Sequence, residues 1–140
     1  MALSRGAAGA GYSGTPLIDK LGIKSDSRLQ FVDAPPNLPA LLGPLPQGAR
    51  ESARGPLDFA MLFVGKRSDL EKRFGKLRDR LTPSGTLWVS WPKKTSGVAT
   101  DLTEDVVRRV GLAAGLVDVK VCAVDETWSG LKFVRRLKDR

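Results

Sequence analysis

At 140 residues the chain is one domain's worth, enough to bury about two thirds of its unfolded surface around a single core. It has no histidine, which excludes histidine-based triads, imidazole proton shuttles and the commonest metal ligand; its single cysteine, Cys122, excludes an intrachain disulfide and thiolate metal clusters and makes a reducing cytoplasm the expected compartment. The net charge of +8 raises the question of an anionic partner, although seven of the basic residues fall within residues 66–80, on one helix face and its approach.

The N-terminal stretch MALSRGAAGAGYSG is rich in glycine and lacks a continuous apolar run, so it reads as neither signal peptide nor membrane anchor. Residues 1–13 are expected to form a flexible tail ahead of one α/β domain over residues 14–140. Gly9, Gly11 and Gly14 spell GxGxxG, but that fingerprint works only between a strand and a helix, and MALSRGAA is no strand; a flexible tail is the preferred reading. Thr15-Pro16, then LIDKL and Gly22, supply an N-cap, a proline at the first helical position and a stop, giving a short helix over residues 16–21 with Leu17 and Leu21 inward. RLQFVD, residues 28–33, is a compact apolar strand that Ala34-Pro35-Pro36 must end. A proline-rich passage follows with one helical turn around Leu41, and residues 50–53 make a short, poor strand.

LDFAMLFV, residues 57–64, is almost uniformly apolar, as a central strand covered on both faces must be. Ser68 and Glu71 have capping-box spacing, and Leu70, Phe74, Leu77 and Leu81 then recur at helical spacing until Pro83-Ser84-Gly85. TLWVSW, residues 86–91, is the next strand. Asp101 with Glu104 opens a further helix that turns Leu102, Val106, Val110 and Ala114 inward and stops near Gly115. Residues 117–127 and 131–136 read as strands joined through Trp128-Ser129-Gly130 into an antiparallel hairpin. The order implies an α/β fold: a mostly parallel sheet with an antiparallel C-terminal hairpin and helices on both faces.

From Leu57 onward, this succession of LDFAMLFV strand, amphipathic helix, LTPSG turn into TLWVSW, helix and hairpin resembles the C-terminal half of a class I methyltransferase, a Rossmann-like fold. In that family the first strand leads into a glycine-rich loop that approaches S-adenosylmethionine. Here FVD runs into APPNLP without a glycine, and Pro35 and Pro36 remove amide donors. A resemblance spanning nearly the whole chain is to a bacterial family of small proteins, domain of unknown function 3052. It is carried by GYSGTPLIDKLGIK, LDFAMLFV, WPKKTSGVATDLTEDVVR and VDVKVCAVDETWSGLKFVRR. This resemblance implies the same methyltransferase-like Rossmann architecture and no particular activity.

The candidate site is the junction after TLWVSW. Lys93 and Lys94 can neutralise an anion, Ser96 can donate a hydrogen bond, Gly97 lets the backbone approach, and the helix opened by Asp101 adds unpaired amides; a solvated loop with a helix cap is the competing reading. Asp125 and Trp128, at the hairpin, are candidate neighbours, although Trp128 is preferred as core cover. Adjacent strand carboxylates point to opposite faces, so Asp125 and Glu126 make no facing acid and base pair. Trp88, Trp91 and Cys122 read as packing. Asp33 falls where a Rossmann protein meets its ligand, and a turn role is equally open to it.

The expected function is non-catalytic: a module binding a small anion, a nucleotide or a protein partner, with no cofactor, no metal and no membrane. Two alternatives stand beside it. One is a divergent S-adenosylmethionine-dependent transferase using Asp33. The other is weak nucleic-acid binding through residues 66–80, for which a solubilising face is preferred.

Overall fold

The computed structural model describes residues 14–140, so the expected tail over residues 1–13, with Gly9 and Gly11, lies outside the described residues. The chain runs through α1 (Leu17–Leu21), β1 (Arg28–Val32), α2 (Leu38–Leu42), β2 (Arg50–Glu51), β3 (Leu57–Phe63), α3 (Arg67–Arg80), β4 (Leu81–Pro92), α4 (Glu104–Ala113), β5 (Leu116–Ala123) and β6 (Trp128–Arg135). The strands make one sheet in the order β2-β1-β3-β4-β6-β5. It is parallel from β2 to β4, and β6 is antiparallel to both β4 and β5.

β3 dictates the layers. Ala60, Leu62 and Val64 at its end join a cluster built with Leu70, Phe74 and Leu77 of α3 and Val107 and Val110 of α4. Phe59, Met61 and Phe63, on alternate positions, join a second cluster with Leu21 of α1 and Leu38 and Leu42 of α2. Each such side chain contributes about 1.5–3 kcal/mol when fully buried. A strand apolar on both faces therefore requires helices on both, and the result is an α/β fold with a mixed six-strand sheet among the described residues.

Four local expectations are corrected. α3 starts at Arg67, behind an extended Lys66, so Ser68 lies within its first turn and no capping box forms. Asp101, from the loop after β4, instead accepts the Arg67 N–H at 2.8 Å, so the cap is tertiary. α3 also ends at Arg80, because Leu81 already pairs with Leu57 of β3. Asp101 therefore does not open α4; the Thr103 hydroxyl does, accepting the Val106 N–H at 3.2 Å. The inward face of α4 runs through Val107, Val110 and Gly111, with Val106 and Ala114 only partly buried.

The fourth correction concerns the hairpin. Its turn is formed by residues 124–127, and Trp128, Ser129 and Gly130 belong to β6. The Asp125 carboxylate accepts the N–H groups of Thr127 and Trp128, both at 2.8 Å, and so builds the turn itself. Gly130 is present for packing rather than turning, since a Cβ there would meet the Trp88 ring at 3.1 Å.

Two outcomes are expected. A Cβ on Gly111 would lie 2.0 Å from Phe133, whose ring is braced edge-on by Phe74 at 5.3 Å. Gly111→Ala should lower the urea midpoint, because overpacking of about 1–3 kcal/mol outweighs roughly 1 kcal/mol of helix propensity. Arg108 of α4 donates to Asp118 of β5 at 2.9 Å, and that bond holds the Asp118 carboxyl below its usual range. With the folded value depressed, this contribution is complete above the unfolded carboxyl value of about 3.9 and is lost as pH falls through the folded one. Denaturation from pH 7 to pH 3 should show the deficit of Asp118→Asn shrinking as the pH drops.

Candidate functional site

In an open α/β sheet the ligand crevice lies beyond the carboxyl ends of the strands where the order reverses. That place is the end of β1 and β3, and here the protein's own polar groups pair with one another. Asp33 sits in the left-handed region at φ 56°, and its carboxylate is ion-paired with Arg73 of α3. Ala34-Pro35-Pro36 follows, with no amide to offer at either proline. At the end of β3 the Gly65 carbonyl accepts the Thr100 hydroxyl at 2.6 Å, and the first amide of α3 is taken by Asp101. The loop after β4 is thus pinned across the neighbouring crossover.

One strand over, a shallow pocket of 310 Å³ opens between the end of β4 and the first turn of α4. Trp91 and Leu102 contribute apolar walls; Lys93, Lys94, Thr103 and Ser129 bring polar groups. The Lys93 N–H is held by the Thr127 carbonyl at 2.8 Å, which fixes the backbone from which both lysines project. Glu104 also lines the pocket, but Arg108 takes its carboxylate at 2.6 Å. The two lysines thus share the pocket lining with a carboxylate that is already compensated, beside the N-terminal end of a ten-residue helix.

Of the residues singled out from sequence, Lys93 and Lys94 line this pocket. Ser96 and Gly97 do not: the Ser96 hydroxyl donates to the Lys93 carbonyl at 2.6 Å and accepts the Val98 N–H at 3.1 Å, and Gly97, at φ 79°, completes that turn. Asp101 is directed to α3. Asp125 is spent on the hairpin turn, with its second oxygen 3.5 Å from the Asn37 amide. Trp128 packs edge-on against Phe63 at 5.1 Å and covers the second core cluster. Thr103 and Ser129 went unforeseen. Thr103 carried a cap signal in TEDV, whereas Ser129 comes to the pocket only through the register that sets it opposite Trp91.

The four arginines of the basic run over residues 66–80 are engaged by partners within the molecule. Arg67 pairs with Glu71, Arg73 with Asp33 and Arg78 with Asp79. Arg80 donates to the Gly55 and Ser52 carbonyls and to Gln30, stapling the loop before β3. Burial pushes the Cys122 thiol up against the opposing pull of Lys20, Lys120 and Lys93, the reverse of what a nucleophile needs. Among the described residues no group of three or more acidic or cysteine side chains is placed to hold a metal, and no helix is long and apolar enough to cross a membrane.

No protein-family model and no curated protein matches the sequence. Solved structures match in fold. An S-adenosylmethionine-dependent methyltransferase from Aquifex aeolicus superposes with a TM-score of 0.60 at 12% identity, over 84% of this chain and 86% of that one. Fibrillarin from Aeropyrum pernix, with natively bound S-adenosylmethionine, gives a TM-score of 0.56 at 13% identity, over 94% and 74%. The match to magnesium protoporphyrin IX methyltransferase from Synechocystis with bound S-adenosylhomocysteine spans 53% of that chain and 67% of this one, with a TM-score of 0.48. At these identities the likeness is one of fold: the chain has the methyltransferase-like Rossmann architecture.

Proposed function

We propose that this domain is a binding module for a small anionic ligand, held between Lys93, Lys94 and the first turn of α4 on a methyltransferase-like frame. Membership of the bacterial family of domain of unknown function 3052 is part of the same proposal. The observation that carries it is the pocket itself. Two lysines share one rim, the nearby Glu104 is already paired with Arg108, and the Thr103-capped helix turns its positive end the same way. Ammonium groups and unpaired helix amides act in the same sense on a phosphate or carboxylate. Ser96, Gly97 and Asp101 support the site indirectly, by shaping the loop and tying it to α3.

The second reading is a divergent S-adenosylmethionine-dependent transferase. Its support is that solved neighbours at TM-scores of 0.60 and 0.56 are described as dependent on, or bound to, S-adenosylmethionine. Against it stand Pro35 and Pro36 after β1 and the engagement of Asp33 by Arg73. Nucleic-acid binding through α3 is weakened by the internal commitments of Arg67, Arg73, Arg78 and Arg80.

A thermal-shift panel separates these readings, because a ligand at a hundred times its dissociation constant adds about 2.7 kcal/mol and raises the midpoint by several degrees. Nucleotides or simple phosphates should stabilise the protein, and Lys93→Ala with Lys94→Ala should weaken that response at least tenfold while leaving the unliganded midpoint within a degree or so. Both lysines are at least partly exposed and make no side-chain bond among the described residues. Stabilisation by S-adenosylmethionine or S-adenosylhomocysteine alone would overturn the first reading in favour of the transferase.

A further inference from the structure

We propose that Lys24, Lys120 and Lys132, on the α1 side of the β5–β6 hairpin, form a second anion site that takes the phosphate group of a small ligand, separate from the β4–α4 pocket.

Lys120 and Lys132 are direct partners across the β5–β6 ladder. Directly opposed residues of an antiparallel pair share a face, and like charges there are destabilising. The face is that of Trp88, which stands opposite Lys132 on β4 and carries the docking of α1 by donating from its indole N–H to the Leu21 carbonyl at 2.9 Å. A fold that needed only a covered sheet at this place would be served by one charge of each sign. Instead none of Lys24, Lys120 and Lys132 has an ion pair among the described residues, while Asp58, Asp33 and Asp118 pair with Arg28, Arg73 and Arg108 elsewhere.

The competing explanation is that these lysines serve the C-terminal end of α1, whose carbonyls attract cations. It accounts for one of them: the Lys120 ammonium donates to the Lys20 carbonyl at 2.9 Å. Lys132 makes no hydrogen bond among the described residues, although it is half-buried. Burial first, then the charges of Lys120 and Lys24, pull its ammonium below the usual lysine range. Gly22 lies over it at φ 78°, and even a Cβ there would come within 3.5 Å of the Lys132 Nζ, so a larger residue would encroach on the space beside the ammonium.

A phosphate group fits this arrangement chemically. It carries up to two negative charges and several acceptor oxygens, so it can take hydrogen bonds from two or three ammonium groups at once and relieve their mutual repulsion. A small ligand suits the cluster better than a nucleic-acid strand. The charges of Lys120 and Lys24 both act on the Lys132 ammonium, and Trp88 beside it is fully buried and offers no face for a base to stack on.

The test is a titration with inorganic pyrophosphate, read by thermal shift and by backbone amide chemical shifts, on the unaltered protein, Lys132→Met and Lys93→Ala/Lys94→Ala. Three results are expected. Lys132→Met raises the midpoint of the free protein, because a like-charge pair is removed. It also weakens the pyrophosphate response at least tenfold at this site. The amides of Gly22, Lys120 and Lys132 move in the unaltered protein and still move in the Lys93/Lys94 double variant, which separates this site from the pocket. The proposal is overturned if Lys132→Met lowers the midpoint and keeps the full response, or if those amides stay still while the Lys93 and Lys94 amides move. It is equally overturned if a single-stranded oligonucleotide binds through Lys132 far more tightly than pyrophosphate, with a steep loss in salt. Should Lys132→Met fail to fold, Lys120→Gln and the amide map of the unaltered protein decide the same question.

Discussion

Beyond Asp58 near its start, β3 has no position that tolerates water. Leu57, Phe59, Ala60, Met61, Leu62 and Phe63 are all essentially buried, so whatever the rest of the chain does must cover both sides of this one strand. The amphipathic α3 and α4 pack against one side; the two five-residue helices α1 and α2 with Trp88 and Trp128 cover the other. The short helices are marginal in isolation, since a single turn gains too few hydrogen bonds to offset its nucleation. They hold because Leu21, Leu38 and Leu42 reach the sheet and because Trp88 captures the end of α1. The asymmetry has a functional consequence: one face is a closed helix layer, and the other is thin enough for sheet lysines to approach the surface.

The same economy shapes the carboxyl edge. The first crossover of this sheet is short and proline-bearing, Asp33 is drawn to Arg73, and the α3 N-terminus receives Asp101. The polar groups at the ends of β1 and β3 are therefore engaged with one another, an apolar pocket of 390 Å³ lined by Phe31, Ala34, Pro35 and Pro36 remains beside β1, and the lysine-lined pocket lies one strand along at the β4–α4 junction. Asp101 links the two: its carboxylate both stabilises α3 and draws the loop carrying Lys93 and Lys94 into a fixed course.

Charge is divided by residue type. The arginines at residues 28, 73, 80 and 108 work inside the fold, where a planar fork with several donors can join two or three segments; Arg108 alone gathers Glu104, Asp105 and Asp118. Lys24, Lys93, Lys94 and Lys132 make no ion pair among the described residues and stand at the two places proposed as anion sites, while Lys66, Lys72 and Lys76, also without ion pairs, lie on α3 and its approach.

Periodicity and end signals in the sequence sufficed for the architecture. The almost uniformly apolar LDFAMLFV, the helical spacing of Leu70, Phe74 and Leu77, the glycine stop at Gly22 and the proline stop after Asp33 are local, and local sterics enforce them wherever the chain goes. Lys93 and Lys94 were legible as site candidates for the same reason, since they follow a buried strand directly. What tertiary structure alone decided is which partner each polar group meets. The spacing of Ser68 and Glu71 matches a capping box, yet Asp101, thirty-odd residues away, supplies the cap. Trp128-Ser129-Gly130 has the composition of a turn, yet Asp125 turns the chain earlier and Gly130 makes room for Trp88. The pairing of Lys120 with Lys132 depends on strand register, including the irregularity between Asp118 and Lys120. Hydrogen bonds and charge contacts act over a few ångströms between residues far apart in the chain, so they are fixed only when the sheet has closed.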